Sequence, residues 1–187
     1  MEEKKAYIFL ADGFEEIEAL SVVDILRRGG VKVTTISLNT SDMVKGAHDI
    51  IVKADATFNH LKEDSDVHMI IFPGGPGVEN FHANPSLIKF TKKCYADKIL
   101  IGAICVAPTF IASLGILDGC KAVCYPGMEH LMNNVTIGDE NVVECRNIIT
   151  SKCPATAPYF ALKLLERLRG KEVSDKVKDQ MHFELLS

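Results

Sequence analysis

The chain has 187 residues, a length that suits one domain around one core. Hydrophobic residues make up 47% of it and charged residues 25%, a balance that excludes a disordered or fibrous protein. A formal net charge of −4, with no long basic stretch, excludes the electrostatic footprint of a nucleic-acid binder.

The first apolar run, Ala6–Ala11, is too short for a signal-peptide core and lacks a cleavage-like site, and no later segment approaches a membrane span. A cytoplasmic protein is therefore expected. Its six cysteines, Cys94, Cys105, Cys120, Cys124, Cys145 and Cys153, are expected to be mostly reduced thiols. Ala6–Ala11 reads as a buried first strand. Asp12-Gly13 turns the chain, and Glu15–Arg28 then shows apolar residues at helical spacing, with acids in its first turn and Arg27-Arg28 in its last. Gly29-Gly30 ends that helix. Val31–Leu38 and Val67–Phe72 read as further strands, the latter running into the turn Pro73-Gly74-Gly75-Pro76-Gly77, and a helix follows Pro85. Ile99–Ile104 is a short apolar strand that passes directly into Cys105-Val106-Ala107-Pro108, where Pro108 fits the first turn of a helix. Beyond residue 120 the pattern gives a strand over Lys121–Cys124, a hairpin of Val142–Cys145 and Asn147–Ser151 around Arg146, and a helix over Thr156–Arg169 ending at Gly170. This alternation is the signature of parallel strands joined by crossover helices, one α/β domain over residues 1–187.

In such sheets ligands bind outside the carboxyl ends of the strands, where the Asp12-Gly13, Gly74-Gly75 and Cys105 turns converge. A cysteine between a strand and a helix start is accessible, and the helix dipole favours its thiolate, which can bring a thiol from about 8.5 to roughly 3.5–7.5. The backbone N–H of Val106, and that of Gly75 in its glycine turn, are free to bind an oxyanion or an oxidised sulfur. The plainer alternative is that Cys105 is a small buried hydrophobe, and from spacing alone the two stand level. Glu18 shares a helix face with Phe14, Val22 and Ile25. If buried without a cation it stays protonated and serves as a general acid or base; otherwise it sits at the stripe's edge and reaches water, as Glu15 and Glu16 are expected to do. Asp24 and Arg28 form a surface or interface ion pair. The glycine turn matches no dinucleotide or phosphate-loop spacing, and the cysteines and histidines match no zinc pattern, so neither cofactor nor metal is indicated. Lys89, Lys92, Lys93 and Lys98 read as a solvated helix face.

Three linked motifs, Ala11-Asp12-Gly13-Phe14-Glu15-Glu16-Ile17-Glu18, Phe72-Pro73-Gly74-Gly75 and Ala103-Ile104-Cys105-Val106-Ala107-Pro108, resemble the ThiJ/PfpI family, close to its parkinsonism-associated deglycase branch. The likeness extends to Thr150-Ser151 before Pro154 and to Gly170-Lys171-Glu172-Val173. The resemblance implies a flavodoxin-like three-layer sandwich with a mostly parallel sheet, a nucleophile elbow at Cys105, and a protonated Glu18 hydrogen-bonded to its sulfur. It also implies oxyanion donors at Gly75 and Val106, no cofactor, and a homodimer with Asp24, Arg28 and His48 at its surface. One departure matters. The protease-like branch has a histidine where Val106 stands, which argues against a protease, and the deglycase branch often has one where Tyr125 precedes Pro126. Tyrosine contacts a carbonyl but is a poor base near neutral pH, so proton transfer falls to Glu18. The implied activity is a glyoxalase or deglycase acting on small dicarbonyls such as methylglyoxal. The other reading is a redox-sensing stress protein or chaperone whose Cys105 is oxidised to sulfinic acid without turnover.

Overall fold

The apolar runs fold as parallel strands crossed by helices. The computed structural model describes residues 3–61 and 66–186. Strand β1 (Lys5–Leu10) leads into helix α1 (Glu16–Arg28), β2 (Lys32–Ser37), a small hairpin of β3 (Met43–Lys45) and β4 (Ile51–Lys53), and β5 (Ala56–Thr57). Then come β6 (Met69–Phe72), α2 (Val78–His82), α3 (Pro85–Ala96), β7 (Leu100–Ile104), α4 (Ala107–Ser113), β8 (Lys121–Ala122) and β9 (Thr136–Ile137). The chain closes with β10 (Val142–Cys145), β11 (Ile148–Ser151), α5 (Ala157–Arg169) and α6 (Lys171–Gln180). Seven strands make the main sheet in the order β10-β11-β7-β6-β1-β2-β5, and only the β10–β11 pairing is antiparallel.

Period-two alternation assigns the two faces of the sheet. Ala6, Ile8 and Leu10 of β1, Met69 and Ile71 of β6, and Ile149 of β11 pack against α1 and α5. Phe9, Ile70, Phe72, Ile101 and Ala103 point the other way, to the layer of α2, α3 and α4, where Phe72 meets Phe81 and Phe110 at ring-centroid distances of 5.5 and 5.4 Å. The result is a flavodoxin-like α/β/α sandwich. No helix among the described residues is long and apolar enough to cross a membrane.

Two expectations are corrected here. The strand expected over Lys121–Cys124 stops at Ala122, because the next backbone donors are used elsewhere: Val123 N–H bonds the Thr150 hydroxyl at 3.0 Å and Tyr125 N–H bonds the Cys105 carbonyl at 2.7 Å. Four cysteines are free, in keeping with mostly reduced thiols, but Cys120 and Cys145 are not, being joined in a disulfide with Cα atoms 5.9 Å apart. Arg146 holds the surrounding turns together, its guanidinium donating to the Asp118 carbonyl and the Tyr95 hydroxyl, each at 3.2 Å. Alkylation in denaturant without reductant will therefore label four cysteines, Cys94, Cys105, Cys124 and Cys153, and all six only after reduction, as intact mass will report.

Candidate active site

Strands β7, β6 and β1 are adjacent, so the loops at their carboxyl ends meet at one edge. They are stitched together by backbone bonds: Glu15 N–H donates to the Gly74 carbonyl at 3.0 Å and Gly77 N–H to the Gly13 carbonyl at 2.9 Å. Gly75 sits at φ +90°, and a Cβ there would lie 2.5 Å from the Gly13 carbonyl oxygen and 2.8 Å from Glu15 N. A Cβ on Gly74 would fall 2.6 Å from the Cys105 Cβ, 2.8 Å from Glu18 Oε2 and 3.0 Å from the Cys105 sulfur. Glu18, Cys105 and the glycine turn therefore share one point.

Cys105 occupies a left-handed conformation, φ +65°, which costs a non-glycine residue about 1–2 kcal/mol. The backbone is held there from both sides. Cys105 N–H donates to the Ser151 carbonyl at 2.9 Å, and its own carbonyl accepts from Tyr125 N–H. This is the elbow expected at Cys105, a strained turn between β7 and α4 fixed by the neighbouring strand and the β8 segment.

Glu18 is fully buried. Its Oε2 accepts the Gly74 N–H at 2.7 Å, while Oε1 is buried with no hydrogen-bond partner among the described residues. Burial pushes this carboxyl up to about 7, against the opposing pull of the hydrogen bonds with Cys105 and Gly74. Glu18 thus lies on the buried side of its stripe, not at a wet edge.

The expectation of an accessible, acidified Cys105 is corrected. The residue is only 5% exposed, and burial, followed by the negative charge of Glu18 and the hydrogen bond with it, pushes the thiol up. The Val106 and Gly75 N–H groups pull the other way without prevailing. The sulfur faces a carboxyl that is itself fully buried, and two negative charges cannot be held there together, so the pair keeps at least one proton.

Glu15 and Glu16 do not reach water as expected; both are buried. Glu15 caps α1, its Oε2 accepting Glu18 N–H at 2.7 Å. Glu16 accepts the His48 backbone N–H at 2.7 Å and faces His48 Nδ1 at 2.8 Å. The β3–β4 loop is what covers them, and a residue type that favours solvent hid this from the sequence. Tyr125 lies beside the elbow through its backbone, with 42% of the residue exposed. Asp24 and Arg28 form their ion pair at 2.7 Å on the exposed side of α1, apart from the elbow. Ser151 and Thr150, which fix the elbow and the β8 segment, carry no signal in the sequence beyond their place in a family motif.

A family model described as the DJ-1/PfpI family matches residues 4–167. The chain belongs to the DJ-1/PfpI family. Among curated DJ-1/PfpI relatives it is 38% identical over 177 residues to Protein dj-1beta of Drosophila melanogaster, covering 93% of this chain and 94% of that one. It is 34% identical over 178 residues to a Caenorhabditis elegans protein named Glutathione-independent glyoxalase DJR-1.2, covering 94% of each. The crystal structure of Drosophila melanogaster DJ-1beta superposes with a TM-score of 0.92 at 34% identity, covering 96% of this chain and 98% of that one.

Proposed function

We propose that this DJ-1/PfpI protein converts small dicarbonyls such as methylglyoxal, or the adducts they form on proteins, into hydroxy acids through Cys105 and Glu18. The observation that carries this reading is the convergence of the Cys105 sulfur and the Glu18 carboxyl on Gly74, with Oε1 left without a partner among the described residues. Such a pair has one proton to move in a buried setting. In the reaction, sulfur bonds to the aldehyde carbon and the oxygen takes the proton that the pair releases, giving a hemithioacetal. The N–H groups of Gly75 and Val106 hold the developing oxyanion. Glu18, now a carboxylate, takes the C–H proton from the sulfur-bearing carbon and returns it to the neighbouring carbon, while the hydroxyl proton of the hemithioacetal passes to the neighbouring oxygen, leaving a 2-hydroxy thioester. Water cleaves the thioester, releasing the hydroxy acid and restoring the thiol. One water is consumed and no electron acceptor is needed. Tyr125, at the mouth of the elbow, contacts the substrate carbonyl.

The test is methylglyoxal turnover without added thiol, followed by lactate NMR for the wild type and Cys105→Ser. Lactate made catalytically by the wild type alone supports the reading. Loss of methylglyoxal that stops near one equivalent without lactate overturns it. The second reading then leads: a redox-responsive stress protein or chaperone in which Cys105 goes to sulfinic acid, held by protonated Glu18 and Val106 N–H. Valine at 106 and tyrosine at 125, where relatives can carry histidine, favour this alternative.

We propose further that residues 1–187 act as one domain and that the protein is a homodimer. On α1, Ile17 and Leu20 are 57% and 39% exposed and lie on one stripe with Asp24 and Arg28. Ile50 and Ile51 of the β3–β4 hairpin add exposed apolar surface beside His48, so one patch could be covered by a second copy. We also propose a cytoplasmic location; four free thiols support it, and the Cys120–Cys145 bond is the observation set against it. Acidic net charge supports the absence of a nucleic-acid partner.

A further inference from the structure

Two segments hold the left-handed backbone of Cys105. The β8 segment brings Tyr125 N–H to the Cys105 carbonyl at 2.7 Å, and β11 brings the Ser151 carbonyl to Cys105 N–H at 2.9 Å. The Cys120–Cys145 bond ties those same two segments together. Cys120 stands directly before β8, and Cys145 ends β10, where it lies opposite Ile148 at the start of β11. With the bond open, the tie rests on weaker contacts, among them Val123 N–H on the Thr150 hydroxyl at 3.0 Å. The disulfide is thus a brace behind the elbow, and a strained turn persists only while its surroundings over-determine it.

A second observation concerns access. Cys120 is fully buried, whereas Cys145 is half-buried beside the exposed turn at Arg146, so an incoming thiolate meets the Cys145 sulfur first. Arg146 follows Cys145 in the chain and donates to the carbonyl of Asp118, two residues before Cys120. A permanent positive charge therefore stands beside the pair, and a neighbouring cation favours the thiolates that exchange requires.

We propose that Cys120 and Cys145 form a second redox site, exchanged with small thiols of the glutathione class, whose state sets how firmly the elbow holds Cys105. A small-thiol thiolate bonds to the Cys145 sulfur, the protein S–S bond breaks, and the Cys120 sulfur leaves with the electron pair and takes a proton. A second thiolate attacks the small-thiol sulfur of the mixed disulfide and frees Cys145, which is protonated in turn. The protein gains two electrons and two protons, and two small thiols become one small disulfide. An excess of that small disulfide runs the exchange backwards. Opening the brace loosens Tyr125 from the Cys105 carbonyl and uncovers the elbow sulfur.

The experiment poises the full-length wild type in mixtures of reduced and oxidised glutathione, quenches with acid, and scores Cys120 and Cys145 by alkylation and peptide mass. The pair should open and re-form while the protein stays folded. On opening, hydrogen exchange at Tyr125 N–H, read by NMR after desalting, should quicken by more than about tenfold while that of Ile8 in β1 holds, the mark of a local opening. Alkylation of Cys105 by iodoacetamide in the folded protein should quicken by about threefold or more, as its access improves. Cys145→Ser, at a half-buried position, should match reduced wild type in both readouts, with a thermal melt to check its fold. Should it not fold, the two states of the wild type decide alone. Equal rates in the two states, a bond that glutathione opens only in denaturant, or a folded Cys145→Ser that matches the oxidised protein overturns the proposal. No readout uses methylglyoxal, so failure here and failure of the dicarbonyl reading are distinguishable.

Discussion

Glu18→Gln will lower lactate formation from methylglyoxal by about 10²- to 10⁴-fold, the contribution of a positioned proton carrier. Glutamine keeps an oxygen for the Gly74 N–H but cannot take a proton from carbon, so the loss will fall on kcat more than on KM. In the wild type the rate will rise as pH passes about 7, where Glu18 gives up its proton. That limb will be missing from whatever activity Glu18→Gln retains.

The same carboxyl leaves a mark on stability. An unfolded glutamate loses its proton near 4.5, whereas the folded one holds it to about 7, so the native state binds more protons between those values. Stability from this group is therefore complete below about 4.5 and declines as pH rises through about 7, by about 3 kcal/mol in total. Urea titrations at pH 5 and 7.5 will show a larger drop for the wild type than for Glu18→Gln. Equal drops would mean that Glu18 titrates in the fold as it does in the unfolded chain.

Gly75→Ala will destabilise the protein by about 3–5 kcal/mol, among the largest effects a single methyl can have. Two penalties add. The left-handed backbone at φ +90° disfavours alanine, and the new Cβ runs into the Gly13 carbonyl, Glu15 N and Phe14 C, all main-chain atoms with no rotamer to yield. Gly127→Ala separates the two contributions, because Gly127 has φ +95° with nothing within 4 Å of its added Cβ. It should cost only about 1 kcal/mol, the backbone part alone. Urea midpoints at unchanged slope will measure both. Similar losses for the two variants would refute the close packing of the glycine turn against β1's loop.

Much of this architecture is legible in the residues alone. Helix α1 announced itself through apolar spacing, early acids and Arg27-Arg28 at its end, and β7 through an apolar run stopping at Cys105. Each signal is local. The β3–β4 hairpin escaped because Met43, Ile50 and Ile51 face outward, so no alternation marks it. The burial of Glu15 and Glu16 escaped for the same reason: the cover comes from that hairpin's loop, some thirty residues away. Cys120 and Cys145 likewise meet only after β10 folds onto the sheet edge, and spacing along the chain carries no trace of it. Cys105 and Glu18 were visible as residue types in telling places, but the direction of the thiol's shift depended on the burial of the sulfur, which only packing decides.

The Cys120–Cys145 bond also makes a covalent ring of the segment it spans, which includes Tyr125 and the exposed turn Glu129–Leu131. A protease that nicks this ring leaves one molecule, not two. The cut protein would run at its full mass on a non-reducing gel and part into fragments only with thiol. Both cut ends would stay tethered to the core, one through Cys120 and the other through β10, so the main sheet would outlast a break in the chain that runs past its elbow.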